Sequence, residues 1–173
     1  MEKHKTCSFF GHRKIDTNNN LKQSVKDCIE DLIINRNVQT FLFGSRSDFN
    51  DLCHLVVSEL KEKYSNIKRM CYTCKSEGCT LEIDRQEREK IYSRFLNKEV
   101  HLLGFEEEFE HETKYVAGRA SYIERNQAMI NDSDFCVFYY DENYVPLTKT
   151  NSGTKIAYEY AVREKKNVIN LFK

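Results

Sequence analysis

The sequence predicts an α/β domain of three layers, a parallel sheet with helices on both faces. Two observations carry that prediction. Between Thr6 and Tyr72 the hydrophobic pattern runs strand, helix, strand, helix, strand with short connections. That order gives a parallel sheet covered by helices. Between Asp134 and Glu159 a short aromatic and β-branched run passes through a polar loop into a Ser-Gly-Thr turn and a helical pattern, a further strand-helix unit of the same kind.

Taken in order, Thr6 to Phe10 is the first strand, and it stops at Gly11-His12-Arg13-Lys14. Gly11 permits a sharp reversal that leaves His12 and Arg13 at the strand's C-terminal edge. Leu21, Val25, Cys28, Ile29, Leu32 and Ile33 follow helical spacing, and that helix closes near Asn35-Arg36-Asn37. Val38 to Phe43 is the second strand. It ends at Gly44-Ser45-Arg46-Ser47-Asp48, where Ser47 or Asp48 is placed to cap the next helix (Leu52, Leu55, Val56, Leu60). Ile67 to Tyr72 is the third strand. Asp84 to Leu96 reads as a charged helix, Val100 to Phe105 as a strand or an apolar loop, and Glu106 to Glu110 as a solvated acidic face. Gly118 to Asn131 is a helix, Asp134 to Tyr140 a buried strand, and Val168 to Phe172 the last strand. There is no internal repeat and a single proline, Pro146, so one domain spans 1–173.

Composition narrows the function. Lysine plus arginine and aspartate plus glutamate number 27 each, and 40% of residues are hydrophobic. Proteins that grip long nucleic acids show a basic excess, which is missing here. The longest apolar run, Phe135 to Tyr140, is too short to span a bilayer, and Met1 to Lys5 opens no secretory signal core. Most of the seven cysteines (Cys7, Cys28, Cys53, Cys136 among them) sit in apolar patterns and read as reduced core residues of a cytoplasmic protein. Cys71, Cys74 and Cys79 supply one C-x2-C without a partner pair, so neither a metal nor a cofactor is expected.

The turn at Ser152-Gly153-Thr154 is the first candidate site. A helix start offers amides without internal partners and the positive end of the dipole, which together favour an anion. Lys149 and Lys155 flank it. A cation there costs about 0.3–1 kcal/mol, so two of them fit better with an anion between. The structural alternative is that Ser152 or Thr154 only caps the helix while the lysines are solvated. The chain has no G-x-x-x-x-G-K-[ST], no G-x-G-x-x-G after the first strand and no G-x-S-x-G.

Four motifs together resemble one superfamily. Cys7 to Arg13 resembles the strand and Gly-His-Arg opening of YpsA-like proteins, within the Rossmann-like SLOG superfamily that also holds the DprA and LOG proteins. Gly44 to Phe49 resembles its second turn, with Asn50 where an Asp is usual. Arg125-Asn126, Met129 and Ser133-Asp134 resemble its Arg-containing helix, and Ser152 to Thr154 its phosphate turn. The resemblance covers Thr6 to Phe172 and is weakest from 74 to 117. It implies a Rossmann-like fold that binds a nucleotide or nucleotide-derived ligand and self-associates as a homo-oligomer. It departs at the phosphate turn, where Asn151-Ser152 replaces a glycine pair and the first following carboxylate is Glu159.

Binding or sensing such a ligand ranks first. Ser152, Gly153 and Thr154 would hold a phosphate, with Gly11, His12 and Arg13 as the opposite wall. Gly44, Ser45, Arg46 and Asp48 would meet ribose or base, while Arg125 and Asn126 face phosphate or ribose. An N-glycosidase ranks second, with Asp48, Asp134 or Glu159 stabilising the ribosyl cation and activating water. A protein–protein module ranks third.

Overall fold

A computed structural model describes residues 3–44, 47–74, 104–112, 114, 118–146 and 152–173. Strands are β1 (Lys5–Gly11), β2 (Val38–Phe43), β3 (Lys68–Cys74), β4 (Glu107–His111), β5 (Phe135–Tyr139) and β6 (Asn167–Asn170). Helices are α1 (Asn19–Arg36), α2 (Asp48–Leu60), α3 (Arg119–Asn131) and α4 (Gly153–Arg163). The strands form a single parallel sheet in the order β4-β3-β2-β1-β5-β6.

Alternation along the strands builds two cores, one on each face. In β1, Cys7 and Phe9 face one side and Phe10 the other. The first core joins Phe9, Phe41 and Phe43 to Leu21, Val25, Ile29 and Leu32 of α1 and to Phe49, Leu52 and Val56 of α2. The second joins Phe10, Leu42 and Phe138 to Met129 and Ile130 of α3 and to Ala157 and Ala161 of α4. Each such fully buried phenylalanine contributes about 1.5–3 kcal/mol of transfer free energy. The fold is therefore a Rossmann-like three-layer α/β sandwich. No helix among the described residues is long and apolar enough to cross a membrane.

Helix ends follow the local chemistry. Asn18 accepts from the Leu21 amide to start α1, and Asn37 closes it in the left-handed region (φ 57°). Ser47, rather than Asp48, caps α2 by accepting from Asn50 N at 3.1 Å.

One segment differs from the reading of the sequence. The acidic run Glu107–His111 is a strand, β4, at the edge of the sheet. Nonlocal pairing overrides its composition. Lys68 meets Glu107 at 3.2 Å, Phe109 packs on Tyr72, and Glu106 grips Arg69 through three hydrogen bonds just before the strand. An edge strand has one neighbour, so its glutamates remain in water. The stretches Asp84 to Leu96 and Val100 to Leu103, and Cys79, lie outside the described residues. Phe105 packs on Phe43 and His54 as a loop residue.

Candidate functional site

Sequential strands step outward from β1 through β2 and β3 to β4 in one direction, and from β5 to β6 in the other. The order reverses between β1 and β5, and open α/β sheets form their ligand crevice there, beyond the strands' carboxyl ends. Gly11 pairs with Tyr139 at the last rung of that strand pair, so the turn after β1 and the loop after β5 leave the sheet side by side.

His12 joins them. Its ring is 3% exposed, and Nε2 accepts the Asp141 amide at 2.9 Å, 129 residues away in the chain. Nε2 therefore carries no proton, and the neutral ring keeps its hydrogen on Nδ1. Nδ1 is buried and has no hydrogen-bond partner among the described residues. Leaving a buried donor unpaired costs about 1–3 kcal/mol. Burial lowers the pKa of His12 from its usual 6.5, while Asp141 pulls the other way. His12 thus reaches the predicted rim as a neutral group and not as a cation. Tyr144 stacks on it at 4.0 Å with 23° between the rings, and Tyr140 lies 5.9 Å away.

The turn after β2 is tied to the same rim. Asp48 N donates to Arg13 O at 2.9 Å, and the Asp48 carboxylate accepts the Ile15 amide and faces Lys14 Nζ at 3.5 Å. That carboxylate is thereby committed to holding the β1 turn. Gly11 and Gly44 are packing glycines. A Cβ on Gly11 would lie 2.7 Å from the Phe49 ring, and one on Gly44 would lie 2.6 Å from Tyr72 O and 3.4 Å from Arg125 Cδ. Arg125 is buried beside Gly44, with Nη2 donating to Asn126 Oδ1 at 3.3 Å and its guanidinium 5.3 Å from the Tyr122 ring. Arg13 is exposed. Ser45 and Arg46 lie outside the described residues, as do Lys149 and Asn151.

At the third turn Ser152 caps α4 by accepting from Lys155 N at 3.0 Å. The Gly153 and Thr154 amides are the first two of the helix, and helix geometry gives them no internal acceptor. Thr154 is buried, whereas a Cβ on Gly153 would meet nothing within 4 Å among the described residues. One turn on, Tyr158 packs on Tyr140 at 4.7 Å, which ties α4 to the end of β5. Among the described residues of the three turns, Gly153 is the glycine with room for a side chain.

The carboxylates suited to catalysis are placed elsewhere. Asp134 precedes β5 and therefore sits at the opposite edge of the sheet, where Oδ2 accepts the Thr6 amide at 2.9 Å. Glu159 is 62% exposed and faces Lys155 Nζ at 4.0 Å. Asp134 does not stand with His12, whereas Glu159 lies near enough to the Tyr140 hydroxyl to add, after burial and Glu142, to the rise in its pKa.

Tyr140, Asp141 and Tyr144 belong to the cluster, and the sequence reading passed over them. Asp141-Glu142-Asn143 held a signal, because an Asp side chain commonly accepts from the amide two residues on. Asp141 Oδ1 does accept from Asn143 N at 2.8 Å. Two described clefts lie off the rim. One of about 350 Å³ runs between Phe109 and α3, and one of about 430 Å³ lies beside Asn167 and Arg36. Among the described residues no group of histidine, cysteine and carboxylate side chains is arranged to hold a metal ion.

In comparison with known proteins, no family model and no curated protein matches this chain.

Proposed function

We propose that this chain is a SLOG-like protein that binds a nucleotide or nucleotide-derived ligand at the rim between β1 and β5. The observation that carries this reading is the meeting of the β1 turn with the β5 loop at the reversal of strand order, where Tyr158 of α4 packs on Tyr140. The Gly153 and Thr154 amides receive the phosphate, and the open space over Gly153 lets it approach the backbone. His12 and the aromatic residues around it form the opposite wall. Binding is favoured over glycosidic cleavage because Asp48 is committed to the β1 turn, Asp134 lies at the far edge and Glu159 is exposed. Cleavage needs a carboxylate at the ribosyl carbon.

A thermal-shift screen with AMP, ADP-ribose and related nucleotides tests the proposal. A ligand at one hundred times its dissociation constant adds about 2.7 kcal/mol, or about 5–11 °C in Tm for a chain of this size. Gly153→Asp puts a carboxylate over the same amides and should abolish the shift while the protein stays folded. No response to any nucleotide at millimolar concentration, or an equal response in Gly153→Asp, would defeat the proposal.

A further inference from the structure

We infer that the face of the His12 ring is the stacking shelf for the ligand's planar base, and that Tyr144 occupies this shelf in the free protein. The inference rests on the nucleotide-binding reading and goes on to assign the place of the base. The imidazole is fixed in position, since the Asp141 amide holds Nε2 in the ring plane and its surroundings leave it 3% exposed. The ring laid over it belongs to Tyr144, which is itself 40% exposed. A separation of 4.0 Å and a 23° tilt approximate the geometry of an aromatic side chain under a base.

Tyr144 is held lightly. Its amide donates to Asp141 O at 3.1 Å, and Asn143 N donates to Asp141 Oδ1, so these bonds lie within the turn itself. Among the described residues no contact holds the hydroxyl, and the ring stack is the interaction seen to keep the phenol in place. A turn bonded to itself can swing on Asp141 and leave the His12–Asp141 bond intact. The shelf is also uncharged, so it suits a neutral aromatic ring, while the unpaired Nδ1–H beside it offers a donor to a ligand oxygen. Tyr144 and the base then compete for one surface, and the ligand binds only the fraction of molecules with the ring displaced.

Calorimetric titration of wild type and Tyr144→Ala with AMP and with ribose 5-phosphate tests this. Removing the competing ring should tighten AMP binding about two- to ten-fold, and ribose 5-phosphate, which has no base, should bind both proteins equally. Unchanged or weaker AMP binding by Tyr144→Ala would overturn the inference and show Tyr144 to be a bystander or a direct contact. So would an equal gain for both ligands. The chain has no tryptophan, so Tyr144→Trp supplies a single reporter whose quenching by acrylamide should rise when AMP is added; constant quenching with AMP bound would also overturn it. If neither ligand binds either protein, the parent proposal falls as well.

Discussion

Replacing Glu106 with glutamine should destabilise the fold by an amount that the structure fixes. Glu106 sits just before β4, and its side chain is 28% exposed. Its oxygens accept the Arg69 backbone amide at 2.6 Å, Arg69 Nε at 3.2 Å and Arg69 Nη2 at 2.6 Å, with Lys61 Nζ at 3.4 Å. Arg69 is 5% exposed and also donates to Ser58 Oγ at 2.9 Å. Burial pushes the Glu106 carboxyl up, but the hydrogen bonds and charge of Arg69 outweigh it and hold the group at about 2 against the usual 4.5. At about 1.4 kcal/mol per pKa unit, cut by about half because Glu106 is open to solvent that screens the pair, the charged form gains about 1–2 kcal/mol on folding. The folded-state pKa is depressed, so this stability is complete above the unfolded value of 4.5 and is lost as pH falls toward 2. Urea denaturation at pH 7 should place Glu106→Gln about 1–2 kcal/mol below wild type, or about 2–8 °C lower in Tm. At pH 3 the gap should shrink by more than half. A gap under about 0.5 kcal/mol at pH 7, or an equal gap at both pH values, would refute this account of how the edge strand is held.

Other outcomes follow from the same geometry. His12 has a lowered folded pKa, so its neutral form stabilises the protein above pH 6.5 and that contribution fades as pH drops through the folded value. Wild type should therefore lose stability between pH 7 and 5 by an increment that His12→Gln lacks, as measured by denaturation. Gly44→Ala would set a Cβ 2.6 Å from the Tyr72 carbonyl and should cost about 1–3 kcal/mol. Gly153→Ala meets open space, so its Tm should hold steady or rise, by at most about 1 kcal/mol of stability. Ser152→Ala removes the cap of α4 and should cost about 1 kcal/mol.

The main elements were legible because their signals are local. Leu21, Val25, Ile29 and Leu32 repeat at helical spacing and are the buried stripe of α1. Val38 to Phe43 is apolar enough to be a strand in any context, and it is β2 without change of bounds. β4 was not legible, since Glu-Glu-Phe-Glu-His becomes a strand only when Lys68, Arg69 and Tyr72 stand beside it. Asp134 shows a different limit. Parallel strands begin at one edge and end at the other, so a carboxylate just before β5 sits a whole strand away from residues just after it. Nearness in sequence to a candidate turn masked that distance. The meeting of the β1 turn with the β5 loop followed from topology, but the protonation of His12 did not. It depends on one amide 129 residues away.

The acidic edge has a consequence for how copies of this chain meet. β4 ends the described sheet, and Glu107, Glu108 and Glu110 are exposed along it. A second β4 approaching alongside would bring like charges to neighbouring-strand spacing, about 5 Å apart. The described sheet thus repels its own continuation into a longer ribbon.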